Sequence, residues 1–310
     1  MTGSRELELV EWLMARFAEG GSWPAVTLGI GDDMAIVDVG GQQVLLTADM
    51  LLDGVHFDRS VHQPEAIGRK AIACSLSDCA AMAVKPVAAT VSVALPSGWS
   101  AEESRGLYDG MRAMADTFEC AIVGGDTTAW NQRLAIDVGM LAVAYPGIVP
   151  IRRHGARVGD VLLVTGPLGG SLLGRHLTFT PRVHEARRVV GMLGEKVHAM
   201  MDISDGLSLD LHRLCAASGV GGQLEESWLD KVVSSEALES AGRDGRSPLE
   251  HALSDGEDFE LLLAVDPSAT VCVEGVTLHQ VGVVTPTGLT IRRKAGAVEP
   301  LTPLGFEHRT

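Results

Sequence analysis

Val44-Leu45-Leu46-Thr47-Ala48-Asp49 reads as a short apolar strand that carries a carboxylate to its end, a common ligand position in α/β folds. The same sentence is written again further on. Ala121-Ile122-Val123 precedes Gly124-Gly125-Asp126-Thr127-Thr128, and Val161-Leu162-Leu163-Val164 precedes Thr165-Gly166-Pro167-Leu168-Gly169-Gly170. Between these strands lie helical patterns at 6–17, 64–82, 101–118, 182–193 and 207–217, with further strand patterns at 88–95, 134–143, 259–265, 276–284 and 289–292. Strands alternating with helices in both halves predict two α/β or α+β domains rather than one sandwich. Pro146-Gly147 and Pro150 punctuate the chain where a linker belongs, giving domains 1–149 and 150–310.

Composition bounds the function. The chain has 310 residues, 46% of them hydrophobic, enough for a large core, and a net charge of -15. That charge argues against a nucleic-acid surface, because phosphate backbones are bound through Lys and Arg. No apolar signal run opens the chain and no uninterrupted apolar stretch reaches eighteen residues, so neither export nor membrane spanning is expected. Five cysteines form no C-x-x-C pair and sit in apolar surroundings; reduced thiols in a cytoplasmic protein are the expectation.

Acidic clusters carry the chemistry: Gly31-Asp32-Asp33, Thr47-Ala48-Asp49, Leu76-Ser77-Asp78, Gly124-Gly125-Asp126 and Asp202-Ile203-Ser204-Asp205-Gly206. Carboxylates beside Gly, Ser and Thr suit hard divalent cations, and such cations suit phosphate chemistry. The pattern therefore points to magnesium-dependent phosphoryl transfer. Asp78 lies among small apolar helical neighbours, so its charge needs a partner; Lys70 and a metal ion both qualify. The Gly124 cluster reads as a phosphate-approaching turn or a hairpin turn. Ser204 or Asp205 serves equally as a helix cap. His56 reads as a core histidine, a ligand or a substrate contact, and Glu257 suits a substrate amine. The turn at 165–170 looks like a phosphate loop but lacks G-x-x-x-x-G-K-[ST].

In this order the motifs, from Gly29-Ile30-Gly31-Asp32-Asp33 through Arg153-His154-Gly155-Ala156, His176-Leu177 and Gly256-Glu257-Asp258-Phe259 to Gly305-Phe306-Glu307, resemble the thiamine-monophosphate kinase family. That family shares the fold of aminoimidazole ribonucleotide synthetase. The resemblance implies that fold, with an N-terminal ATP- and magnesium-binding domain that forms a β-barrel across a homodimer, and a C-terminal α/β domain. It implies transfer of the ATP γ-phosphoryl to thiamine monophosphate. On the matching positions, Asp33, Thr47, Ala48, Asp49, Asp78, Asp126, Asp202 and Asp205 would hold magnesium. Gly125, Asp126, Arg153 and Ser204 would meet ATP, with Asp126 and Arg153 acting in the transfer step. His56, Glu257 and Phe306 would hold thiamine monophosphate. The chain departs from the family pattern at Ala48, which offers only backbone, at Ser75, at Thr178-Phe179 and at Asp255-Gly256.

Overall fold

A computed structural model describes residues 5–19 and 23–306; the expectations at Met1 to Ser4 and at Glu307 onward lie outside the described residues. The first half contains α1 (Arg5–Glu19), β1 (Val26–Leu28), β2 (Ala35–Val39), β3 (Gln42–Leu52), α2 (Pro64–Ala81), β4 (Val84–Pro96), α3 (Ala101–Thr117), β5 (Ala121–Trp130) and β6 (Ala135–Ala144). Its strands form one sheet in the order β1-β2-β3-β6-β4-β5. The second half contains β7 (Val161–Val164), α4 (Arg175–Thr178), α5 (Val183–Leu193), β8 (Val197–Ile203), α6 (Leu207–Ser218), β9 (Gly221–Glu225), three short helices, β10 (Glu260–Val265), β11 (His279–Thr285), β12 (Leu289–Arg292) and β13 (Val298–Pro300). These strands form a second sheet, β13-β12-β9-β11-β7-β10-β8. Within the chain the first sheet is open, with β1 and β5 at its edges.

Two strands are longer than the sequence suggests, and this moves two site residues. Asp49 lies inside β3, opposite Val138 of β6, rather than at a strand end. The Gly124 cluster continues β5 and is neither a turn nor a hairpin; it pairs in parallel with β4 as far as Trp130. Gly125 is required there. At φ +150° a Cβ on it would stand 1.8 Å from the Val91 carbonyl oxygen, so only glycine lets β5 approach β4 this closely. On the apolar side of α1, Leu9, Val10, Met14 and Phe17 are exposed within the chain.

Helix α2 organises the molecule. Pro64 opens it, where its fixed φ and missing N–H suit the first turn. Ile67, Ala71, Ile72, Leu76 and Cys79 are all buried, so the helix is covered on every side. It packs on α3, β3, β4 and β6 of its own half and on α4, α5 and β8 of the other. One apolar core accordingly runs through both halves, joining Ile67, Ala71 and Leu76 to Phe179, Val183, Met200 and Phe259. A second core, around Leu162, Leu211 and Leu262, lies wholly in the second half.

The α2–α3 contact depends on glycine. A Cβ on Gly68 would lie 1.9 Å from the Leu107 carbonyl oxygen, and one on Gly110 would lie 2.0 Å from that of Glu65. Gly→Ala in a helix ordinarily gains up to about 1 kcal/mol of propensity, but overpacking of this kind loses about 1–3 kcal/mol. Gly68→Ala is therefore expected to lower the thermal midpoint by several degrees in a calorimetric scan. Gly242→Ala, in the helix Ser235–Asp244 with nothing near the added Cβ, is expected to leave it unchanged or raise it.

Candidate active site

Three carboxylates meet at the seam between the halves. Asp33 comes from the loop before β2, Asp78 from the last turn of α2 and Asp202 from the end of β8, and one oxygen of each lies within 4.8 Å of the others. Hydroxyls aim them. Thr47 on β3 donates to Asp78, and Ser77 donates to Asp202 at 2.6 Å. Beside the group, Asp49 is half-buried and accepts from Ser75 at 2.6 Å. These serines and the threonine supply donors without charge, so the acids remain uncompensated.

The electrostatics follow. Burial first, then the neighbouring Asp49, Asp202 and Asp33 charges, push Asp78 well above the usual carboxylate range. Asp202 is raised in the same way, by burial and then by Asp33. Asp49 is raised by burial, with Ser75 opposing. The adjacent cation is Arg153, whose guanidinium meets Asp33 at 2.5 Å. Burial disfavours its charge, but Asp33 and Asp32 outweigh this and hold it ionised. Asp32 in turn accepts the Arg153 amide proton at 3.1 Å through both oxygens, and burial and Asp33 lift it to about 6. Asp33 Oδ2 and Arg153 Nε remain buried with no hydrogen-bond partner. Hard oxygen donors, an orphaned carboxylate oxygen and mutual repulsion fit a divalent cation of the magnesium type.

Asp126 and Asp205 fall outside the three-carboxylate group. Asp126 is exposed on β5 and accepts from the amide of Thr127 at 2.9 Å, next to Gly125; Tyr108 Oη lies 3.0 Å from the Thr127 hydroxyl. Asp205 pairs with Arg213. Neither Ser204 nor Asp205 caps α6. The cap residue is Gly206, and Asp210 accepts from the Asp205 and Gly206 amides at 3.0 and 3.1 Å. The Ser204 carbonyl instead takes the Glu257 amide proton at 2.6 Å. Thr47 and Ala48 lie on β3 opposite Met140 and Gly139, so Thr47 reaches the site through its hydroxyl and Ala48 contributes no side-chain ligand.

His56, Glu257 and Phe306 form a second group. The Phe306 amide donates to the Asp205 carbonyl at 2.9 Å, folding the end of the described chain over the turn at 204–206. Its ring centroid is 6.4 Å from that of His56. His56 Nδ1 accepts the Leu52 amide proton at 3.0 Å, which leaves the ring's proton on Nε2 when it is neutral. Glu257 sits on positive-φ backbone, at +57°. Burial works against its charge, yet His176 and Lys70 hold its carboxyl below the usual range.

The sequence offered Lys70 as a partner for Asp78. The structure gives it to Glu257. It also shows what no local pattern signalled: Ser77 bonded to Asp202 across 125 residues, Asp32 clamping the Arg153 amide, and His176 beside Lys70. The phosphate-like turn at 165–170 is consumed internally, because the Gly169 and Gly170 amides donate to Asp258 and Asp255 at about 2.9 Å. The departure at Thr178-Phe179 has a packing role. The Phe179 ring stacks on Phe259 at 4.2 Å between centroids.

Comparison with known proteins gives a consistent result. Residues 31–145 match the family described as AIR synthase related protein, N-terminal domain, and residues 157–294 match its C-terminal domain. A thiamine-monophosphate kinase of Rhodopirellula baltica is 42% identical over 299 residues, covering 92% of each chain. One of Aquifex aeolicus is 33% identical over 253 residues, covering 75% of this chain and 79% of its own. Among solved structures, AaThiL complexed with AMPPCP and TMP superposes with a TM-score of 0.82 at 28% identity, over 99% of this chain and 100% of the other.

Groups raised by burial favour the protonated fold. Asp78 and Asp202, with Asp32 at about 6 and Asp210 at about 7, contribute stability that is complete below about pH 4 and lost as pH rises through their folded values. Metal-free protein is therefore expected to melt at lower temperature at pH 8 than at pH 5.5. Magnesium, which binds deprotonated ligands, is expected to raise the midpoint more at pH 8. Thermal melts in EDTA and in magnesium at both pH values check this; an equal magnesium shift at the two would refute it.

Proposed function

We propose a reaction for this chain, which belongs to the thiamine-monophosphate kinase family and is an ATP-dependent phosphotransferase: transfer of the ATP γ-phosphoryl to thiamine monophosphate, giving thiamine diphosphate and ADP. The observation that carries it is the group of three carboxylates, Asp33, Asp78 and Asp202, gathered within 4.8 Å at the seam. These residues, with Asp49 beside them and Asp126 and Asp205 at the margins, would hold magnesium, which would supply charge neutralisation between two polyanionic phosphates. The acceptor is already a phosphate oxygen that is ionised near neutral pH, so the chain needs neither a strong base nor a covalent intermediate. Its task is alignment and screening.

The residues divide that task. Arg153 brings a half-buried, permanently charged guanidinium to the phosphates, and its pairing with Asp33 keeps it aimed. Gly125 and Asp126 present open backbone and a carboxylate on the exposed face of β5, and Ser204 adds a hydroxyl on the opposite half. Thr47 orients Asp78 through its side chain, while Ala48 serves through backbone. His56, Glu257 and Phe306 receive thiamine monophosphate: an aromatic face for a heterocycle, and an anion for an amino-pyrimidine or thiazolium. We assign residues 1–149 to ATP and magnesium binding and dimerisation, and 150–310 to a C-terminal α/β domain.

A homodimer whose first sheets complete a shared barrel is part of this reading. It is supported by the open edges of that sheet and by the exposed Leu46, Met50, Val123 and Trp130 on its strands. Among the described residues no helix is long and apolar enough to cross a membrane, and the cysteines are free; a cytoplasmic location accords with the unpaired thiols.

The test is formation of thiamine diphosphate from thiamine monophosphate, ATP and magnesium. Product is expected, and EDTA is expected to abolish it. Asp202→Asn and Asp126→Asn are each expected to lower kcat/KM by about 10²-fold or more, the scale for losing one preorganised electrostatic group. No product from folded, ATP-binding protein would sink the reading.

A further inference from the structure

Among the described residues Lys70 is the largest side chain with essentially no solvent exposure, and its ammonium lies at the junction of three chain segments. Nζ donates to the His56 carbonyl oxygen at 2.6 Å, approaches His176 Nδ1 at 2.9 Å and pairs with Glu257 Oε2. An ammonium has three protons and no lone pair. The His56 carbonyl and the Glu257 carboxylate each take one of these protons, and His176 Nδ1 lies beside both the ammonium and, at 3.3 Å, Glu257 Oε2. Glu257 Oε2 is thus engaged from two sides, while among the described residues Oε1 accepts no hydrogen bond.

We propose that Lys70 is the positioning residue of the acceptor-substrate pocket: it ties the His56 segment of the first half to Glu257 of the second and leaves Glu257 Oε1 as a fixed anionic acceptor for the nitrogen-rich, cationic heterocycle of the substrate. This rests on the reading that thiamine monophosphate is the acceptor. Stability does not account for the arrangement. A buried ion pair contributes little over apolar side chains of the same volume, whereas Glu257 is held on left-handed backbone, at φ +57°, which is strained for a residue with a side chain. Gly256 before it is also left-handed, and a Cβ there would lie 2.8 Å from the Ser204 carbonyl. The turn is thus built to point Glu257 inward, and Lys70 fixes where its carboxylate ends. Lys70 itself lies behind Glu257, so its effect on substrate passes through that carboxylate.

The experiment is steady-state kinetics with both substrates on Lys70→Met, Glu257→Gln and the double variant, with thermal melts and direct calorimetric binding of thiamine monophosphate. Loss of one charge-assisted contact is about 1.5–3 kcal/mol, or about tenfold to a hundredfold in affinity. Lys70→Met is expected to raise KM for thiamine monophosphate by about that factor while KM for ATP changes little. Because both residues act through one contact, the double variant is expected to match Glu257→Gln alone. If Lys70→Met fails to fold with an uncompensated carboxylate, the comparison of the double variant with Glu257→Gln decides. Effects that multiply, or a parallel rise in KM for both substrates, would overturn the assignment of Lys70 while the kinase reading stands. A wild-type chain that neither binds nor turns over thiamine monophosphate would overturn the kinase reading, and this one with it.

Discussion

Everything at the seam answers to one constraint: carboxylates taken out of water next to one another. Asp33, Asp78 and Asp202 lie within 4.8 Å, and without a counter-ion their mutual repulsion in a weakly screening interior amounts to several kcal/mol. The protein answers in two ways. It supplies one cation, Arg153, to Asp33, and it supplies neutral donors, Thr47 and Ser77, to the other two. Partial compensation leaves the group electron-rich, the condition under which clustered carboxylates favour a divalent ion.

Helix α2 is what makes this balance geometrically possible. It is buried on all sides, it is made of small residues, and it touches both halves. Polar side chains on such a helix have nowhere to go except to specific partners. Ser75 reaches Asp49, Ser77 reaches Asp202, Asp78 joins the acidic group and Lys70 joins Glu257. Consecutive turns of one helix thus reach both the acidic group and the Glu257 turn. The glycines that let α3 come close, Gly68 and Gly110, hold α2 in the position from which those contacts are made.

Which of these features the sequence revealed depends on how far each interaction reaches along the chain. The alternation of strands and helices, the Pro64 helix start and the acidic motifs are local and were legible, but β2, the Asp202-bearing β8, β9 and the helices within 235–254 carry no clear local pattern and were not foreseen. The strand content around Asp49 and Asp126 was underestimated, because Thr-Ala-Asp and Gly-Gly-Asp weaken an apolar pattern while the ladder beside them continues. The carboxylates Asp33, Asp78 and Asp202 were all candidates, yet nothing local separated them from Asp126 and Asp205, which stand apart from the group. Their convergence is a tertiary fact, set by β8 packing against α2. Ser75 illustrates the limit: it registered only as a departure from a family pattern, and its bond to Asp49 became visible once α2 and β3 were side by side.

Lys70 shows how helix geometry overrides spacing. Lys70, Cys74 and Asp78 do fall on one stripe, which made a Lys70–Asp78 pair attractive. Eight residues at 1.5 Å each, however, separate the two by about 12 Å along the axis, beyond a direct ion pair between side chains that leave the helix at different heights. The stripe instead joins two separate groups. At one end it places an acid among acids, and at the other a cation against Glu257. The same buried helix therefore sets opposite electrostatic conditions about two turns apart: an excess of negative charge around Asp78, held by neutral hydroxyls, and a matched ion pair around Lys70.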